Sequence, residues 1–471
     1  MLLLFFTLAW ASDSLTLEQA VAQALQDNLE LASQRHENTI AKLRLDEARA
    51  VFDPRLSASA RTGGSSTPTN MVNDGSDVVI SSSDSWSTNI AASLPTGGFA
   101  SVGLSEFTSQ TDSANASAAQ YTSDNLNISA SQPLLRGAFF GQITVLRDAH
   151  LGVLEQELMW RQQVEQMTLS VGDAYWGLIS ARQGHELAER SVELTERQLS
   201  ETEERKAAGF SGSGDVLQVQ VAVGHARREL VNAVANLEAA EAGLARILGI
   251  PLQGGAELNP TDLPLVTDHT PGREAMLQSA MANNAGFLLS GVQHERSVRN
   301  VKRAKNAALP DLSVDGNAGW SAGAQNASGA RSDLVDAPAP SWSVGVSVGL
   351  PLFMRDTKAQ YSMAKLRKDQ AGLSLKAAEQ DLILEVDAAM RTVTRDRAGL
   401  VVAEQTLEHA RLSLDAQREL LSEGRGSTRD VVDALESLRV AEASKLQAEI
   451  ACQGSLMRAL AVSGTLLETD G

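Results

Sequence analysis

Two glycine-rich turns carry the residues best able to act on a charged solute. The first reads Ala208-Gly209-Phe210-Ser211-Gly212-Ser213-Gly214-Asp215, and the second Glu423-Gly424-Arg425-Gly426-Ser427-Thr428-Arg429-Asp430. In each, glycine is expected to end an incoming helix and Asp215 or Asp430 to cap the outgoing one. Capping alone would account for those two aspartates. It does not account for Asp433, which stands three residues past Asp430 and on a helix shares its face. Were three copies to meet on an axis, six carboxylates would crowd one opening and attract cations. Covalent chemistry has no comparable support. Gly209–Asp215 has no lysine placed to grip a nucleotide, the seven histidines lack metal-ligand spacing, and no Ser/His/Asp order is visible. The residues point away from an enzyme and call for no cofactor or metal.

The rest of the chain must position those turns. It has 471 residues, only 4% of them aromatic, and is dominated by Ala, Leu, Val, Glu, Gln and Arg, a mixture that suits long helices with small residues at their contacts. A net charge of −18 argues against a nucleic-acid partner; on charge alone it otherwise reports solubility. The apolar run Leu2–Trp10, ending in Ala9-Trp10-Ala11, is expected to be a signal peptide over residues 1–11. It is too short to span a bilayer as a helix, which takes about 20 apolar residues, and no later run is longer. The single cysteine, Cys452, reads as a small buried hydrophobe.

The chain says nearly the same thing twice. Leu17–Ser57 aligns without gaps on Arg273–Ser313 at an offset of 256, placing Asn28 on Asn284 and Pro54 on Pro310. Later Gly209 falls on Gly424 and Asp215 on Asp430, at an offset of 215. The first repeat is taken as 12–260 (helix, about four strands, long helix pair with its tip at 207–215) and the second as 261–471 (helix, two strands, long helix pair with its tip at 422–430).

Between the helices the period changes from 3.6 to 2. Leu312, Val314, Gly316, Ala318 and Trp320 share one face, and Val344, Val346, Val348 and Leu350 repeat the pattern, as do Leu56, Ala58, Ala60 and Leu126, Ile128, Ala130. Runs of about 10 residues suit tilted membrane strands; a soluble sandwich fits the pattern equally well. The first repeat adds two runs, Trp86–Leu94 and Phe99–Phe107, joined at Pro95-Thr96-Gly97-Gly98. Polar links at Gly63–Ser85, Gln110–Ser123 and Ser321–Pro340 are expected to be long loops, the habit of outer-membrane barrels. Six strands do not readily close a pore alone, and an open edge cannot face lipid, so closure calls for several chains. Helices are expected from after Leu135 to Ala208 and from after Phe353 to Glu423, each about 100 Å long. Returning helices should run Asp215–Leu248 and Asp430–Leu460. Val216, Val219, Val223, Ala226, Leu230, Ala233, Leu237, Ala240, Leu244 and Ile247 step by 3 and 4, as do Leu400, Ala403, Leu407, Ala410, Leu414, Gln417 and Leu421. Such seams pair helices along their length.

Taken together, the duplicated plan resembles the TolC family of outer-membrane channel proteins. The resemblance rests on Leu15-Thr16-Leu17-Glu18-Gln19-Ala20 with Asp27-Asn28, the strand exits Gln132-Pro133-Leu134 and Leu350-Pro351-Leu352, and the tips Gly209…Asp215-Val216-Leu217 and Gly424…Asp430-Val431-Val432-Asp433. It implies a homotrimer, with a β-barrel among outer-membrane lipid continued by an α-helical barrel across the periplasm. That assembly would be the exit duct of a tripartite efflux pump or a type I secretion system. It also implies a periplasmic adaptor (membrane fusion) protein and an inner-membrane pump of RND, ABC or MFS type as partners. By position Asp430 and Asp433 look like the family's aspartate ring at the periplasmic gate, faced by Gly214 and Asp215. An arginine that latches the gate in some relatives would fall at Gly426, with Arg425 and Arg429 as substitutes. Adaptor docking would involve Lys206, Gly209, Phe210 and Gly212 on one tip and Leu421, Gly424 and Ser427 on the other. The extra hairpin would give 18 strands per trimer where the family usually has 12. The alternative reading is a periplasmic coiled-coil adaptor or scaffold.

Overall fold

The computed structural model describes residues 14–69, 77–114, 116–138, 141–250, 258–262, 272–350 and 352–467. The expected signal peptide and Pro351 lie outside them. In chain order the elements are β1 (Ser14–Leu15), α1 (Leu17–Asp27), α2 (Leu29–Arg49), β2 (Arg55–Pro68), β3 (Val78–Ser93), β4 (Phe99–Thr111) and β5 (Gln120–Pro133). The long pair α3 (Gly141–Ala207) and α4 (Ser213–Ile247) follows, then β6 (Asn259–Pro260). The second repeat holds α5 (Arg273–Asn283), α6 (Ala285–Ala307), β7 (Asp311–Ala324), α7 (Ala327–Asp336), β8 (Ala339–Gly349), α8 (Arg355–Ser422) and α9 (Thr428–Ser463). Two compact units result, and each draws on both repeats: Met1–Asn38 with Glu157–Ser290 and Leu375–Gly471, and Thr39–Gln156 with Gly291–Ser374.

The first unit is helical. Thr16 and Gln19 open α1 with a reciprocal capping box. The opening helix expected of each repeat is in fact two helices, broken at Asn28 and Asn284. Each asparagine uses both ends of its amide. Asn28 Nδ2 donates to Ile247 O at 2.9 Å and its Oδ1 accepts from Leu31 N; Asn284 Nδ2 donates to Val462 O at 3.2 Å and its Oδ1 accepts from Phe287 N. Every one of these partners obeys the sequence offsets. Gly249 and Gly464 complete the two clasps. Both have positive φ, and a Cβ on either would lie 2.7 Å from the Asp27 or Asn283 carbonyl oxygen. Only glycine adopts that conformation so close to another backbone. Nearby, Leu15, Tyr175, Leu178, Leu244 and Leu248 form the buried core. Tyr175 Oη donates to Leu15 O at 2.8 Å and lies 3.0 Å from Asp262 Oδ2, which ties β1 to its parallel partner β6.

The seams read from sequence are where the helices bury side chains. Val216, Val219, Val223, Ala226 and Leu244 are buried on α4, as are Leu400, Ala403, Leu407, Leu414 and Leu421 on α8. Cys452 is buried too, and burial pushes its thiol up from the ordinary value.

The second unit holds one antiparallel sheet in the order β2-β3-β4-β5-β7-β8, with β2 and β8 at its edges. The extra hairpin, β3 and β4, is therefore part of the sheet and not an appendage. Every cross-strand pair joins two even-numbered or two odd-numbered residues. One face is thus made of even positions throughout: Leu56, Ile90, Val102, Ile128, Ala318 and Trp342 form a single row across all six strands. The opposite face is mostly serine, asparagine and glycine, with Phe99, Phe107, Tyr121 and a few charges among them, and is laced by hydroxyl pairs such as Ser101–Ser129 at 2.6 Å and Ser313–Ser347 at 2.6 Å. Trp86, Trp320 and Trp342 mark one end of the apolar band.

The expected loops hold more regular structure than their composition suggests. Most of Gly63–Ser85 is strand, because hydroxyl side chains pair across the ladder beyond the apolar band, and β3 alone has 16 residues; in Gln110–Ser123 strand takes only the two ends, up to Thr111 and from Gln120. The link Ser321–Pro340 contains α7, capped by Asn326, whose side chain accepts from Gly329 N. Arg331 on α7 pairs with Glu106 at 2.6 Å, holding the helix over the even face beside buried Thr122 and Asp124.

Candidate functional site

Both tips lie in the helical unit. Gly209 and Gly424 have φ of 81° and 75° and end α3 and α8, the left-handed stop that glycine permits. Neither aspartate is the N-cap. Gly212 and Ser427 hold that position, and Asp215 and Asp430 stand three residues further on. Their carboxylates reach back. Asp215 Oδ2 accepts from Gly212 N at 2.8 Å; Asp430 Oδ2 accepts from Ser427 Oγ at 2.8 Å, while Ser427 Oγ accepts from Asp430 N at 3.2 Å. A carboxylate in the first turn also meets the positive end of the helix dipole. Gly214 lies in the first turn of α4, and a Cβ there would meet nothing within 4 Å.

Asp433 is exposed, with its nearest cation Arg429 one turn back at 3.8 Å. Arg425 approaches Glu423 at 3.5 Å. Both arginines are therefore engaged within their own hairpin. At Gly426 a side chain has no room: its Cβ would lie 2.8 Å from Leu421 N and 3.0 Å from Leu420 C. Lys206 sits exposed in the last turn of α3, and Phe210 projects with 78% of its surface free. Leu421 does the reverse. Its side chain is buried with Leu414, Val431 and Ala434 in the core of the second hairpin.

The two hairpins meet through a residue that periodicity did not single out. Arg205 Nη1, in the last turn of α3, donates to Leu421 O at 3.3 Å. It continues a buried polar stripe of Thr195, Gln198 and Thr202 at steps of 3 and 4. That stepping is its signal in the sequence, polar where the other seams are apolar. Thr195 and Thr202 donate to carbonyls one turn back, at 2.6 and 2.7 Å. Beside the second tip, Asp433, Glu436 and Arg439 of α9 line a groove of about 490 Å³ with His225 of α4. Arg439 grips Glu436 with two hydrogen bonds, at 2.8 and 2.6 Å, and holds its carboxyl below the usual range. The acidic row Asp430, Asp433, Glu436 is thus free of a tight arginine partner only at its first two members. Among the described residues no group of acids, histidines or cysteines has the arrangement of a metal site.

This combination of paired hairpins and a six-stranded sheet has known counterparts. The family model for outer membrane efflux proteins matches residues 97–250 and 276–463. Outer membrane protein TolC of Vibrio cholerae is 24% identical over 311 residues, 64% of this chain and 69% of that one. The TolC of Escherichia coli is 22% identical over 320 residues, 67% and 64% respectively. The matched stretch thus spans about two thirds of those relatives. A cobalt-zinc-cadmium resistance protein, CzcC of Cupriavidus metallidurans, is 24% identical over 269 residues, 56% of this chain and 60% of that one. Among solved structures, the outer-membrane channel OprN superposes with a TM-score of 0.72 at 18% identity, covering 95% of this chain and 90% of that one. VceC of Vibrio cholerae gives 0.70 at 16%, covering 95% and 96%. At such identities the likeness is one of fold.

Proposed function

The chain belongs to the outer membrane efflux protein family, whose place is the outer membrane with helices reaching into the periplasm, and from that membership we propose that it is a passive exit duct. Three copies pool six strands each into one barrel of 18, continued by a tunnel of the long helix pairs. The observation that carries this reading is the parity of the sheet. An apolar row runs unbroken across all six strands while both edge strands stay unpaired among the described residues. From Leu312 to Trp320 is about 27 Å along a strand, and a tilt of 35–45° leaves roughly 20 Å of height, close to an outer-membrane apolar band. Strand edges cannot remain open to lipid. An adaptor or scaffold would instead cover the apolar face with a second sheet; the only other sheet among the described residues is the two-residue pair of β1 and β6.

The tips form the periplasmic gate, with Asp430 and Asp433 as its carboxylate ring, Gly214 and Asp215 opposite, and Arg205 joining the hairpins. Exposed Lys206, Phe210, Gly212 and Ser427 offer the adaptor its docking surface. The inner-membrane partner supplies energy, whether in a tripartite efflux pump or a type I secretion system. The test is single-channel recording of the purified protein in planar bilayers. Asp430→Asn with Asp433→Asn should weaken block by divalent cations. Undiminished block removes the ring assignment, and protein that gives no channels removes the duct.

A further inference from the structure

We infer that the barrel seam is keyed by charge: Arg61 on the β2 edge of one copy reaches across β8 of the next copy to Asp315. The inference rests on the trimeric-barrel reading and names the contact that sets its register.

The polar face of the sheet is nearly free of charge, and what charge it has is segregated. Of the odd-numbered strand residues, β2 carries Arg55 and Arg61, β7 carries Asp311 and Asp315, and the other four strands carry none. Within one chain β2 and β7 are four strand spacings apart, roughly 19 Å. Across a seam between β2 of one copy and β8 of the next they are two spacings apart, roughly 10 Å, a span that an extended arginine and an aspartate divide between them. Nothing on β8 stands in the way. Its odd positions within that span are Ser341, Ser343, Gly345, Ser347 and Gly349, and Gly345 is the register partner of Asp315.

Asp315 is held ready. Its carboxylate accepts from Ser131 Oγ at 2.6 Å, Ser347 Oγ at 3.0 Å and Ser313 Oγ at 3.2 Å, and no basic side chain among the described residues pairs with it. Arg61 is exposed and makes no hydrogen bond or ion pair among those residues.

The stagger of the sheet sets the alignment. Arg55 lies on the row Ala91, Ser101, Ser129, Asn317, six residues above Asp311 and its partner Gly349. The helix-side strand ends thus descend steadily from β2 to β8. One further step of two residues brings Ser59 of the next copy opposite Ser347, and its Arg61 opposite Gly345 on the row of Asp315. The same register sets Ala58 against Val348 and Ala60 against Val346 on the apolar face. In a water-filled lumen such a pair fixes register and partner more than it adds affinity.

Disulfide trapping tests the register. Ser59→Cys with Ser347→Cys in one chain cannot link within that chain, because the two strands are opposite edges of the sheet. Under oxidation this variant should give linked dimers and trimers on a non-reducing gel, whereas Ser59→Cys with Ser341→Cys should give none. Arg61→Asp and Asp315→Arg should each lower the fraction of detergent-stable trimer, and the double reversal should recover it. A link through Ser341→Cys and not Ser347→Cys, or a reversal that recovers nothing, overturns the charge key while the trimer stands. Wild-type protein that is never a trimer overturns the barrel reading beneath it.

Discussion

Two glycines at the tips should respond oppositely to the same added methyl group. At Gly426 a Cβ would lie 2.8 Å from Leu421 N, 3.0 Å from Leu420 C and 3.2 Å from Leu420 Cβ. The first two contacts are with backbone, so the turn itself must move. It is held there by Arg425 N and Gly426 N, both donating to Leu420 O at 2.9 Å. Forfeiting both bonds costs about 2 kcal/mol at about 1 kcal/mol each, which is roughly a 30-fold change in local opening. Gly426→Ala should therefore lower hydrogen-exchange protection at the second tip by about that factor and lengthen open dwell times in bilayer recordings. At Gly214 nothing stands within 4 Å of the added methyl and the residue is helical. Gly214→Ala should stabilise α4 by about 0.5 kcal/mol. If Gly426→Ala exchanges like wild type, or both variants move in the same direction, the backbone of the turn does not crowd Gly426 in solution.

Asn28→Ala and Asn284→Ala should each cost about 1–3 kcal/mol in denaturant unfolding, because each strands a carbonyl and an amide; near-neutral effects would show that the clasps are incidental. Tyr175→Phe removes the donor to Leu15 O and should cost about 1–2 kcal/mol. Burial pushes this phenol up to about 12, so it remains a donor at working pH, and the loss should be constant between pH 6 and pH 9 in paired melts. Burial also raises the Glu165 carboxyl, its charge only partly offset by Arg161. The folded state then holds the proton more tightly than the unfolded chain. The ionised carboxylate therefore lowers stability above its folded pKa; that penalty fades as pH falls through the folded pKa and is gone below the ordinary 4.5, where both states hold the proton. Glu165→Gln should raise the melting temperature at pH 8 more than at pH 4; the reverse order would contradict the sign.

Much of this architecture was legible because it is periodic. Val216 through Ile247 and Leu400 through Leu421 announced their seams by spacing, and the alternation of Leu312–Trp320 announced a strand with two unlike faces. The duplication aligned Asn28 with Asn284, but not the helix break that each of them makes. What escaped notice depends on side chains meeting across distance. The clasps of Asn28 and Asn284 are ordinary asparagines until Ile247 and Val462 are placed beside them. Ser65 and Ser81, partners across β2 and β3, look like loop residues, because a serine ladder has the composition of a linker and only cross-strand pairing reveals the strand. At the tips, glycine as helix stop was readable, but the cap lay three residues upstream of the aspartates that seemed to occupy it. Arg205 was hidden in a seam of threonine and glutamine, and Gly426 gave no sign that packing forbids a side chain there.

The most direct measurement is an electron cryo-microscopy map of the protein in nanodiscs with its strands counted. A threefold assembly whose wall holds 18 strands, with Val78–Thr111 inside it and the tryptophans at the outer rim, is the expected result. A monomer with its apolar face covered from within the chain, or a 12-strand wall with that hairpin outside, would contradict the account.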